Sequence, residues 1–186
     1  MKTLITIAAT VAALTFAGCG DDPKDAEDYG DVYSYDKQAG RFVDSPVTGI
    51  TVKTPHETVV TDSEGNFRYT KGDTAKFYIG NIYLGSVDHP IYTTPNEFAI
   101  TRAEKVNQLR FIQALDSDGN LDNGIQIVDA AVNITGQTVI WSNEQSVIDT
   151  LRNISIDAGL GSNGLTLVSE VDAVNHFETY NHMTLD

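Results

Sequence analysis

Cysteine is almost missing from this sequence. Cys19 is the only one, and a chain with one thiol cannot close an internal disulfide. Its stability must come from core burial. Basic residues are scarce too: 12 Lys and Arg stand against 26 Asp and Glu, a formal charge of −14. Such a surface repels phosphate backbones and anionic headgroups, so no nucleic-acid partner is expected. It suits divalent cations, a cationic partner or plain solubility. The histidines His56, His89, His176 and His182 show no i, i+4 ligand spacing and no His-Glu-x-x-His motif, so they read as structural or surface residues. There is no Gly-x-Ser-x-Gly elbow. "GLGSNGL" (Gly159 to Leu165) has glycines but lacks the Lys-Ser/Thr of a phosphate loop. No enzymatic motif stands in the chain.

Long apolar runs are lacking as well. The one near the start, Leu4 to Ala17, is too short to span a bilayer comfortably and follows Lys2, the layout of a secretory signal peptide. "FAGC" (Phe16 to Cys19) resembles a bacterial lipobox, with Phe16 where Leu is usual. The resemblance implies cleavage before Cys19, acylation of its thiol, and a protein held in the bacterial cell envelope, at the outer membrane, by lipid on Cys19. Acyl chains anchor by burying methylenes and need no basic patch. Residues 1–18 are then the leader. Residues 19–39 are the lipidated Cys and a tether, because "GDDPKDAEDYGD" is acidic, poor in apolar residues and broken by Pro23.

Residues 40–100 read as short strands. Ile50 and Val52 alternate, as do Phe67 and Tyr69, and Ala75, Phe77 and Ile79 alternate against Lys76 and Tyr78. Turn clusters at Asp62–Asn66 and Lys71–Asp73 separate them. This spacing predicts an antiparallel β-sandwich. The pattern carried by Val47, Gly49, Val52, Thr61, Asp62, Gly65, Phe67 and Tyr69 resembles carboxypeptidase-regulatory-like and transthyretin-like sandwich modules. Asp62 and Gly65 are structural turn residues here: the carboxylate caps the turn and the glycine takes a positive φ. "VNQLRFIQALDSDGNLDNGIQI" after the strands, with "VSEVDAVNHFETYNHMTL" at the end, resembles a module of proteobacterial surface lipoproteins. That family implies no enzymatic activity.

Residues 101–186 read as a helical part packed on the sandwich, giving an α+β fold of immunoglobulin/transthyretin-like sandwich plus about three helices. The first spans Ala103 to Leu115, with Val106, Leu109, Ile112 and Leu115 inward and Thr101 and Glu104 as a capping box. The second spans Asn143 to Ile154, with Ser142 and Gln145 as its box and Val147, Ile148, Leu151 and Ile154 inward. The third follows Ser169, with Val171, Val174, Phe177 and Tyr180 as its face. Ile125–Val128 and Thr138–Trp141 read as short extended pieces.

"LDSDGNLDNGI" (Leu115 to Ile125) holds the densest chemistry. Asp116, Asp118, Asn120 and Asp122 stand at alternate positions, the rhythm of a calcium loop, and calcium is the cofactor this points to. The glycine at the fourth position and Ile127 at the twelfth depart from an EF-hand. The competing reading is an Asx-rich connection after a helix. Tyr78 and Tyr83, on the outer sheet face, could meet a protein or glycan partner. The expectation is a lipid-anchored, non-enzymatic binding, adhesion or assembly module. The alternative is an exported metal-dependent hydrolase, or an enzyme inhibitor, with Asp116, Asp118 and Asp122 at its centre.

Overall fold

A computed structural model of the chain describes residues 36–98 and 101–185. The leader, Cys19 and most of the expected tether lie outside the described residues. The described part belongs to one unit, Tyr35–Asp186. It is mixed α+β, with mostly antiparallel sheets and four α-helices. Among the described residues no helix is long and apolar enough to cross a membrane.

Strands β1 (Lys37–Phe42), β5 (Asn66–Thr70) and β8 (Tyr92–Thr93) form one sheet, in the order β5-β1-β8. β1 runs antiparallel to β5 and parallel to β8. The tether was expected to reach residue 39. Residues 37–39 are instead part of β1: Lys37, Gln38 and Ala39 pair with Thr70, Tyr69 and Arg68. A second sheet has the order β4-β3-β6-β7, from β3 (Thr51–Lys53), β4 (Thr58–Val60), β6 (Ala75–Ile79) and β7 (Ile82–Val87), all antiparallel. The period-two pattern works as expected: Ala75, Phe77 and Ile79 are buried, Lys76 is exposed and Tyr78 is half-buried. Phe77 of β6 meets rings of the other sheet, with centroids 5.6 Å from Phe42 and 5.5 Å from Phe67, and Phe98 lies 5.0 Å away. Burying each such ring contributes about 2–3 kcal/mol.

The helical half contributes a strand as well. β2 (Val47–Thr48) pairs in parallel with β9 (Ile125–Gln126). The single turn α2 (Asp129–Val132) follows at once, so the extended piece expected over Ile125–Val128 is only two residues long. Thr138–Trp141 is not extended in a ladder. Trp141 is instead fixed from its side chain, donating Nε1–H to the Tyr83 carbonyl at 3.2 Å and meeting Phe111 edge-on.

Helix α1 (Arg102–Ala114) carries the expected reciprocal capping box of Thr101 and Glu104. Phe111, Ile112 and Leu115 join the main core, while Val106 and Leu109 pack with Ala173, Phe177 and Leu185 in a second cluster. α1 is therefore buried on two sides. Helix α3 (Glu144–Asp157) is capped by Asn143, whose Oδ1 accepts from the Ser146 N–H, and not by the expected Ser142. Gln145 bonds forward to Asp149 instead. Val147, Leu151 and Ile154 are buried, and Ile148 is half-buried. Helix α4 (Glu170–Asn181) is capped by Ser169 as expected. Its face is Ala173 and Phe177: Val171 is 67% exposed and Tyr180 39%. The three-residue stride from Val171 drifts off the buried line that the 3.6-residue helical repeat sets through Ala173 and Phe177.

Candidate functional site

The Asp62 turn is built as its sequence implies. Asp62 Oδ1 accepts from the N–H groups of Glu64 at 2.9 Å and Asn66 at 2.8 Å. These bonds hold the Asp62 carboxyl below its ordinary range, the Asn66 N–H first. Gly65 has φ +75°, and a Cβ there would lie 2.3 Å from the Phe42 carbonyl oxygen. Both residues serve the junction of β1 with the hairpin.

The acidic loop begins where α1 ends. It is closed at its base by Ser117 N–H to the Gln126 carbonyl at 2.9 Å and Val128 N–H to the Leu115 carbonyl at 3.0 Å. It docks through Ile125 N–H to the Pro46 carbonyl at 2.8 Å. Inside it the polar residues bond to the loop itself. Asp118 Oδ1 accepts from Asn120 N–H at 2.8 Å and its Oδ2 from the Asn123 side-chain amide at 2.9 Å. Asn120 Oδ1 caps the short turn Leu121–Asn123. The alternate spacing of acids is thus largely a series of Asx turns, which fold the backbone back within two or three residues.

Two of the four expected calcium ligands come together and two do not. Asp116 and Asp118 line one cleft of about 210 Å³, with Thr48, Ser63 and Asn123 on its walls. Asn120 and Asp122 lie outside it, both exposed. Among the described residues no group of three or more His, Cys, Asp or Glu side chains is placed to hold a metal ion. Asn123, which the alternate rhythm passes over, lines the same cleft and donates its side-chain N–H to Asp118 Oδ2. It stands at an odd interval from Asp116, so no period-two reading could select it.

The pair is electrostatically unequal. Asp116 is 7% exposed, and its Oδ1 accepts from Gln126 N–H at 2.9 Å. Burial pushes its carboxyl up, and Asp118 beside it adds to the rise. Asn123 and the Asn120 N–H hold Asp118 low. Two carboxyl groups in contact, pulled in opposite directions, can hold one proton or one hard cation between them. The other cleft residues do not titrate near neutrality.

A second acid, unmarked by any motif, is Asp44 in the turn after β1. It has no exposed surface. Gln113 donates Nε2–H to its Oδ2 at 2.9 Å, and Asn181 donates to its backbone carbonyl at 3.1 Å. Burial pushes the Asp44 carboxyl up to about 7, against the Gln113 hydrogen bond. Of the histidines, His56 lies 2.9 Å from Asp73, His176 stacks on Tyr180, and His89 and His182 take positive φ in turns. On the outer face of the second sheet Tyr78 and Tyr83 lie 5.3 Å apart, with the Lys53 ammonium 4.7 Å over the Tyr78 ring. No protein-family model, no curated protein and no solved structure matches the chain.

Proposed function

We propose that the chain is a lipid-anchored lipoprotein of the bacterial envelope whose folded domain is a non-enzymatic binding or assembly module. The observation that carries it is in the sequence: the sole cysteine directly follows Ala17-Gly18 at the end of an apolar leader. An acidic segment then separates Cys19 from the first strand at Lys37. That order in the sequence, acyl anchor, spacer and folded domain, supports the reading. The two sheets that meet through Phe42, Phe67 and Phe77 support a transthyretin-like sandwich and, with it, the likeness to modules of surface lipoproteins. The Asp116–Asp118 cleft is the place for a stabilising calcium ion, held by these two carboxylates.

Labelled palmitate fed to cells expressing the full chain tests the anchor. The label should enter the protein, and mass analysis should place it on an N-terminal Cys19. Cys19→Ala should lose the label and leave the membrane fraction. An unlabelled wild-type chain released to the medium would end this reading.

A further inference from the structure

The outer face of the β4-β3-β6-β7 sheet carries two rows of side chains across its strands. Register sets the first: Lys53 stands opposite Thr58 on one side and Lys76 on the other, and Lys76 stands opposite Ser86. It sets the second from Val60 through Thr51 and Tyr78 to Tyr83. The alternate residues Val52, Ala75, Phe77 and Ile79 are buried in the core. Lys53 and Lys76 are exposed, Tyr78 is half-buried and Tyr83 is 47% exposed.

Like charges directly opposite each other destabilise a sheet. Acids to separate them are abundant, at 26 Asp and Glu to 12 Lys and Arg, yet among the described residues neither lysine forms an ion pair. Acids from the neighbouring turns have other partners. Asp88 accepts from Thr74 Oγ1 at 2.6 Å, Asp73 lies 2.9 Å from the His56 ring, and Glu57 pairs with Lys37. The Lys53 ammonium is steadied 4.7 Å over the Tyr78 ring. Positive charge is thus concentrated at one spot on an acidic protein.

Both lysines line one cleft of about 360 Å³, together with Thr54, Pro55, Thr74 and Tyr78. That volume lies in the range of small-ligand sites, about 300–1,000 Å³. Two ammonium groups call for an anion, and the rest of the face narrows its kind. Threonine hydroxyls both donate and accept, as sugar hydroxyls do. Tyr78 and Tyr83, 5.3 Å apart, offer ring surface on which the C–H side of a pyranose packs. A phosphate polymer fits poorly, because its closely spaced charges would extend past two lysines into the field of a chain of charge −14. A sugar with a single carboxylate on its ring needs positive charge only where the lysines supply it.

We propose that this face binds an acidic sugar of the uronate type, its carboxylate between Lys53 and Lys76 and its C–H side on Tyr78 and Tyr83. This ligand class rests on the reading of the domain as a binding module. It is independent of the anchor: an unacylated Cys19 would remove the lipid and leave the sugar site standing.

Calorimetric titration of the full chain with trigalacturonate, its uncharged methyl ester and triaspartate tests it. Chelator is present throughout, so that calcium cannot bridge the sugar to the acidic loop. Trigalacturonate should bind at least about ten-fold more tightly than the ester. Raised salt should narrow that gap, since the lysines are exposed. The double variant Lys53→Gln, Lys76→Gln should erase it, and exposed positions keep the fold intact. Tyr83→Ala should weaken acid and ester alike and leave their ratio within about two-fold. Triaspartate should bind more weakly than trigalacturonate. Triaspartate binding as tight would make the face a mere charge patch and overturn the sugar. Equal affinity for acid and ester in the wild type, or a double variant that still prefers the acid, would overturn the role of the lysines.

Discussion

Gln113 donates its side-chain amide to Asp44 across 2.9 Å, joining the last turn of the fold's most buried helix to a carboxyl group with no exposed surface. One neutral donor does not compensate a charge moved out of water. The folded-state carboxyl therefore rises from 3.8 to about 7. The folded protein then holds this proton more tightly than the unfolded chain does. Its penalty is absent below about pH 4, grows as pH rises, and is complete above about pH 7. The full span is on the order of 4 kcal/mol. Urea midpoints should accordingly fall between pH 5 and pH 8 in the wild type. Asp44→Asn should flatten that slope and be the more stable form at pH 8, with little difference at pH 4. A variant less stable than wild type at pH 8 would mean that Asp44 stays charged and compensated.

Asp62 makes the opposite case, an exposed acid that stabilises. Its Oδ1 takes two backbone N–H groups that the turn leaves without ladder partners, those of Glu64 and Asn66. Asp62→Ala should cost about 1–2 kcal/mol, measured by chemical denaturation. Asp62→Asn, which keeps the acceptor oxygen and loses the charge, should cost less than half of that. Equal losses would shift the weight from hydrogen bonding to the charge on Asp62, which Arg41 also attracts.

Calcium separates the sequence rhythm from the folded cleft. Two carboxylates are few ligands, so affinity should be about millimolar, as in extracellular calcium modules. Binding to the native state raises the melting temperature by linkage. Melts of the full chain should rise with calcium relative to chelator. Asp118→Asn should abolish the rise, and Asp122→Asn should leave it intact, because only Asp118 shares the cleft with Asp116. Flat melts at about 5 mM calcium would remove the metal, since a millimolar site must respond there.

What could be read in advance was local, and what could not was set by contacts between halves. Thr101 and Glu104 announced the start of α1 because a capping box needs only four residues. Phe77 and Ile79 announced their faces because a strand alternates strictly. Val171 misled because one side of α4 touches the rest through Ala173 and Phe177, and nothing in its own sequence marks that a small alanine seats the helix. Ile125–Gln126 is a strand only because Val47–Thr48 lies beside it. The acidic loop shows both sides. Its residue types were plain, yet the partner that shares the cleft is Asn123 and not Asp122, because the turn capped by Asn120 swings the chain between them. Asp44 was invisible as a site, since a lone Asp before Ser-Pro reads as a turn residue and its burial depends on α1 and α4.

Three polar residues on α1 fasten the later half of the chain to it. Asn107, Arg110 and Gln113 stand at three-residue intervals, and each donates to a backbone carbonyl of the later half: Trp141 at 2.8 Å, Val168 at 2.6 Å and Ala173 at 3.1 Å. A polar stripe that would ordinarily face water instead fastens segments with few ladder bonds of their own. Arg110 is the most demanding member. Its Nε reaches Val168 while its other nitrogens reach Asn107 and, at 3.1 Å, Glu144 in the first turn of α3. Lysine has the charge but not the planar fork, so it cannot serve these partners together. Arg110→Lys should destabilise by about 1–3 kcal/mol. The loss should concentrate where the fastening ends: amide exchange should speed up over residues 160–172 more than in the β-sheets. Uniform acceleration across both halves would show that Arg110 supports the whole core and not the attachment of the segment leading into α4.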